Sequence, residues 1–130
     1  MAPARFKDLV LDAVDHQALA DWWCAALGYE RRHREDENGE WPPEWPVPIH
    51  DPLGEGPSIW FSPVPEAKEG KNRMHVDVRG DTEELLAMGA TLLRRSEGAT
   101  ASWDVLADPE GNEFCVFPPK VPPVVRPTVR

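Results

Sequence analysis

The stretch Leu106-Ala107-Asp108-Pro109-Glu110-Gly111-Asn112-Glu113-Phe114-Cys115-Val116-Phe117 is two apolar runs around a five-residue turn. Asp, Pro, Gly and Asn are the residues a reversing chain requires, so Ser102 to Ala107 and Glu113 to Phe117 form a hairpin. Upstream, Ala90 to Arg95 reads as another strand. Before it, Asp81 caps a helix, with Glu84 three residues on as in a capping box. Leu85, Leu86 and Met88 are its apolar residues, and Gly89 stops it. Met74 to Val78 is the strand that leads in. The order is therefore β-α-β-β-β.

The N-terminal half repeats this order. Phe6 to Ala13 reads as a strand and Asp15 as an N-cap. Leu19, Trp22, Trp23, Ala26 and Leu27 recur on one face of a helix, and Gly28 ends it in the left-handed conformation. Tyr29 to Arg34 reads as an exposed strand, followed by an acidic turn from Glu35 to Glu40 around Asn38-Gly39. Trp41 to Pro57 is rich in proline and reads as an edge strand or a structured loop. Ser58 to Ser62 is a short strand, and Ser58 to Pro63 matches Glu113 to Pro118 at an offset of 55. The reading is α+β, with two βαβββ modules at about 5–65 and 73–118 in one domain, 1–118. A Pro-rich tail, 119–130, follows.

Composition narrows the function. The 130 residues carry 14 Lys+Arg against 23 Asp+Glu, a net charge of −9, with no basic stripe to hold a phosphate backbone. Nucleic acid is excluded as a partner on that ground. No apolar run approaches the roughly 20 residues of a membrane span, and the N-terminus shows no signal-peptide core. Cys24 and Cys115 are too few for a disulfide framework and read as small buried side chains. The expected compartment is a reducing cytoplasm. Proline is abundant at 15, eight of them between Pro42 and Pro65, and there are six Trp. Trp22 and Trp23 belong to the helix, whereas Trp41, Trp45, Trp60 and Trp103 line either a core or a pocket.

These motifs resemble the vicinal oxygen chelate superfamily: glyoxalase I, bleomycin-resistance proteins and extradiol dioxygenases. The carriers are Leu11-Asp12-Ala13-Val14-Asp15, Leu27-Gly28-Tyr29-Glu30, Asn72-Arg73-Met74-His75-Val76-Asp77-Val78 and Asp108-Pro109-Glu110-Gly111-Asn112-Glu113-Phe114, with Leu92-Leu93 after Gly89-Ala90. The run from Lys71 to His75 is similar to the glyoxalase-like domain branch. The resemblance implies a cupped eight-stranded mixed sheet built by the two modules, and a homodimer. It also implies a divalent metal held from the first, fourth, fifth and eighth strands, by residues of the types His or Gln, Glu, His and Glu. Those positions fall on Asp8, Trp60, His75 and Cys115. Trp60 offers no ligand atom, and Cys115 stands where a Glu is expected. The expectation is therefore no metal or other cofactor.

Two readings of the site follow. In the favoured one the protein binds a hydrophobic or aromatic small molecule, with Trp60 and Trp103 as walls, Asp8 and His75 as polar anchors, and Cys115 beside them. In the alternative, His75 is the ligand or general base of a lyase, isomerase or dioxygenase-like enzyme, and Asp8, His75 and Cys115 together make a three-ligand zinc site. His75 is equally readable as a histidine satisfied by protein partners. Lys71 and Arg73 read as a solvated connector or as an attraction for an anionic ligand.

Overall fold

The computed structural model describes residues 2–32, 42–97 and 102–119. Trp41, the acidic turn from Glu35 to Glu40 and the tail beyond Pro119 lie outside them. The chain divides into two units, Met1–Glu69 and Gly70–Arg130.

The first unit contains β1 (Leu9–Ala13), α1 (His16–Leu27), β2 (Glu30–Arg31), β3 (Val47–His50) and β4 (Ile59–Pro63). Its sheet order is β1-β4-β3-β2, with β1 and β4 parallel and the other pairs antiparallel. The second unit contains β5 (Val76–Arg79), α2 (Thr82–Ala87), β6 (Thr91–Arg94), β7 (Asp104–Ala107) and β8 (Glu113–Phe117). Its order, β5-β8-β7-β6, is the same topology with β5 and β8 parallel. The repeat seen in the sequence is thus a repeat of strand order. Leu9 pairs with Ile59 in one unit as Val76 pairs with Phe114 in the other. Asp8 and His75 each stand one residue before their leading strand, and Trp60 and Cys115 occupy matching positions.

Local chemistry explains the helix ends. The Asp15 carboxylate accepts from the Ala18 N–H at 3.1 Å, and the Asp81 carboxylate accepts from the Glu84 N–H at 3.1 Å. Gly28 closes α1 at φ 74°, a conformation glycine adopts without a side-chain penalty. One face of α1 (Leu19, Ala20 and Trp23) is buried, as are Ala13, Val47, Ile49, Ile59 and Phe61 of the sheet. Trp22 meets Trp23 edge to face at 5.0 Å but is itself only half-buried.

Several boundaries differ from the sequence reading; β5, for one, begins at Val76, after Met74 and His75. β1 starts at Leu9, and Phe6 is exposed. Trp103 precedes β7 instead of lying in it. The Pro-rich stretch supplies β3, which is an inner strand flanked by β2 and β4. Pro48 is tolerated there because its missing donor faces β2. The Arg32 N–H still donates to the Pro48 carbonyl at 3.0 Å, but no donor returns, and β2 ends at Arg31. Arg31 compensates by donating to Asp21 Oδ1, Gln17 Oε1 and the Gln17 carbonyl, at 3.0, 2.9 and 3.0 Å.

Two carboxylates hold loops. Asp51 accepts from the backbone N–H groups of Leu53, Glu55 and Gly56, and chiefly through the first of these its carboxyl is held below the ordinary range. Asp104 accepts from Thr82 Oγ1 at 2.6 Å and the Ser96 N–H at 2.7 Å, which likewise hold its carboxyl low. Because both values are depressed in the folded state, their stabilisation is present above the unfolded value of about 4 and lost as pH falls through the folded value. Melting temperature is expected to stay level from pH 7 to about 5 and to fall below about 4. Asp104→Asn should melt lower at pH 7 and lose less on acidification, as calorimetry across that range would show.

Candidate functional site

Register places the site on the face of the second sheet. Asp77 lies beside Cys115, Cys115 beside Val105, and Val105 beside Arg94, a row that crosses β5, β8, β7 and β6. Neighbours in such a row point to the same side of a sheet. His75, two residues before Asp77, shares that side by the period of a strand. A pocket of about 350 Å³ is lined by this row and by His75, Lys71, Glu113, Trp103 and Phe117. The alternate residues of β8, Phe114 and Val116, are buried at 1% and 3% exposure and belong to the core.

Trp103 and Phe117 stack with ring centroids 5.5 Å apart and an interplanar angle of 28°. Trp103 is half-buried, so a face of this aromatic pair remains available to the pocket. On the polar side, His75 Nε2 lies 3.3 Å from Asp77 Oδ1. One donor atom each from His75, Asp77 and Cys115 fall within 4.8 Å of one another. Burial pushes the Cys115 thiol up, and the Asp77 carboxylate, which accepts its S–H, pushes it further; Lys71 and Arg94 act in the opposite direction. Cys115 therefore keeps its proton at neutral pH. Its alkylation at pH 7.5 should be much slower than that of an exposed thiol, and Asp77→Asn should accelerate it several-fold. Mass-resolved labelling kinetics would read this, and an unchanged rate in Asp77→Asn would sink the assignment of Asp77 as acceptor.

The expected site residues fall into two groups, one in each unit. In the first unit Trp60 Nε1 donates to Asp8 Oδ2 at 2.8 Å, and Lys7 Nζ lies 3.1 Å from the same oxygen. Lys7 also stands 5.7 Å from the centre of the Trp60 ring. Burial raises the Asp8 carboxyl, but Lys7, the Trp60 N–H and Arg32 outweigh it and hold it below the usual range. In the second unit His75, Trp103 and Cys115 share the pocket. Within the second unit, the carboxylate beside His75 and Cys115 is that of Asp77; the His75-x-Asp77 spacing was its signal in the sequence. Arg94 had no local signal.

The metal implied by the family does not fit the four expected positions. Trp60 fills one with a ring that offers no ligand atom, and Asp8 is engaged by that ring and by Lys7. Among the described residues no helix is long and apolar enough to cross a membrane.

No curated protein sequence matches the chain. Among solved structures, a glyoxalase/bleomycin resistance protein/dioxygenase family enzyme from Burkholderia phytofirmans PsJN is similar at 19% identity and a TM-score of 0.63, over 87% of this chain and 97% of that one. The fosfomycin resistance protein FosX of Listeria monocytogenes, solved with Mn(II) and 1S,2S-dihydroxypropylphosphonic acid, is similar at 11% identity and a TM-score of 0.66, over 93% of this chain and 95% of that one. TioX from Micromonospora sp. ML1 is similar at 15% identity and a TM-score of 0.55, over 88% of this chain and 98% of that one. At such identities these likenesses show the fold. The sequence itself goes further: residues 8–117 match the model of the glyoxalase-like domain, and the chain belongs to that family, within the vicinal oxygen chelate superfamily.

Proposed function

We propose that this protein binds a small hydrophobic or aromatic molecule without the metal typical of its superfamily, and acts in the cytoplasm as a homodimer. The observation that carries the reading is the pocket of the second unit, where the Trp103–Phe117 stack stands beside the polar groups of His75, Asp77 and Cys115. Pockets that hold small organic molecules combine a broad apolar wall with a few placed polar groups in this way. Trp60, standing where the superfamily has a metal ligand and itself hydrogen-bonded to Asp8 within the first unit, supports the metal-free reading.

The test is a small-molecule screen read by tryptophan fluorescence and melting temperature together. A ligand should perturb both, and Trp103→Ala should abolish the response while shifting the melting temperature of the free protein by only a few degrees. A screen in which no compound perturbs either signal would remove the support for the reading. Light scattering checks the dimer, which should give twice the 14.6 kDa of one chain.

A second reading rests on the cluster of His75, Asp77 and Cys115. Imidazole, carboxylate and thiolate together suit zinc, and three protein donors leave a coordination position open. Loading would require Cys115 to release the proton it shares with Asp77. Elemental analysis after incubation with zinc and desalting decides between the readings. Near one equivalent per chain, lost in His75→Ala, would favour the metal, and no retained metal would favour the metal-free pocket.

A further inference from the structure

We infer that the ligand of the second-unit pocket is an aromatic anion, with its ring on Trp103 and its carboxylate, or an equivalent oxyanion, on Arg94. This rests on the binding reading above and names the ligand class. The decisive feature is an irregularity in β6. Leu92 pairs with Leu106, but the residue opposite Val105 is Arg94. Regular antiparallel pairing would set Leu93 there and turn Arg94 to the other side. One extra residue in β6, a β-bulge, therefore brings a guanidinium into the row that lines the pocket, and bulges of this kind re-aim side chains at functional sites.

The charges in the pocket are not equally committed. The Asp77 carboxylate faces His75 and accepts the Cys115 thiol. Glu113 Oε1 accepts from the Asn72 N–H at 2.6 Å. Among the described residues, no ion pair engages Arg94 or Lys71. The acids thus face protein donors, while among the described residues no hydrogen bond or ion pair holds the side chain of either cation. Arg94 is also separated from Asp77 by three strand spacings, about 14 Å, so an anion held there escapes most of the repulsion of that carboxylate. Between them lie Val105 and Cys115, with the Trp103–Phe117 stack alongside. A planar ring fits that apolar floor, and the guanidinium fork matches two carboxylate oxygens.

Calorimetric titration with three probes tests this: 2-naphthoate, the neutral 2-naphthylmethanol, and cyclohexanecarboxylate. The expected order places 2-naphthoate about tenfold tighter than the alcohol, a ratio ordinary for one exposed charge-assisted contact. Cyclohexanecarboxylate should bind more weakly than 2-naphthoate because it cannot stack. Arg94→Gln should erase the preference for the carboxylate over the alcohol, with Lys71→Gln weakening it less, and neither should change the melting temperature appreciably. Equal binding of acid and alcohol, or a preference that survives Arg94→Gln, would overturn the ligand class while leaving the pocket as a binding site. The ligand class is likewise overturned, and the pocket retained, if the wider screen finds a ligand and 2-naphthoate does not bind. Failure of every compound in both experiments would overturn the ligand class and the binding reading together.

Discussion

Phe61→Ala is expected to destabilise the protein by about 3–5 kcal/mol, the usual range for truncating a fully buried aromatic ring. Phe61 is 0% exposed, and it pairs with Leu11 of β1 on one side and Val47 of β3 on the other. It therefore stands at the centre of the first sheet, on the side that buries Ile49, Ile59 and the inner face of α1. Truncation removes the apolar surface and leaves a cavity that three paired strands cannot close. For a chain of this size the melting temperature should fall on the order of 10–20 °C. Trp60→Ala, one residue away but facing the opposite side, should cost far less, because Trp60 is only part-buried. The pair of variants tests the alternation of β4 directly. Similar losses in both would mean that Trp60 belongs to the core instead of a wall.

The second large effect is expected from Asp108→Ala, at roughly 2–4 kcal/mol in a melting experiment. Asp108 is 2% exposed and accepts from the Glu110 N–H, the Asn112 N–H and the Asn112 side-chain amide. Its own N–H donates to the Asn112 carbonyl at 2.9 Å, and Gly111 completes the turn at φ 90°. Removing the carboxylate strands several donors around a buried position, which costs more than the bonds themselves. This turn also sets the register of β7 on β8, and a slip by one residue would exchange Cys115 and Phe117 for Val116 on the pocket face. Asp108→Asn keeps an acceptor oxygen and should lose about half as much. An Asp108→Ala variant as stable as the parent would show that the hairpin is held by strand pairing alone.

Much of the fold was legible because its determinants are local. The two caps, Asp15 and Asp81, act on N–H groups three residues away, and Gly28 needs only its own φ. The turn from Asp108 to Asn112 closes on itself. Repetition of these signals gave two βαβββ modules, and the structure has two sheets of identical strand order. β3 was harder to read, since Pro48 argues for an edge until it is known that the missing donor faces the two-residue β2. The site was legible in part. Of the residues expected in one site, His75, Trp103 and Cys115 line the pocket of the second unit.

The partners within the site were decided by pairing between distant strands. Asp77 meets Cys115, 38 positions away, through parallel register, and Trp60 meets Asp8 across the pairing of β1 and β4. Arg94 reaches the pocket because β6 carries one residue more than β7 requires. By itself the sequence determined the order of elements, the turns and caps, and the family, all written in short-range spacing. Which side chains face one another was settled only by tertiary register, because a strand's periodicity names the residues that share a face and says nothing of the strand, or the bulge, that lies beside it.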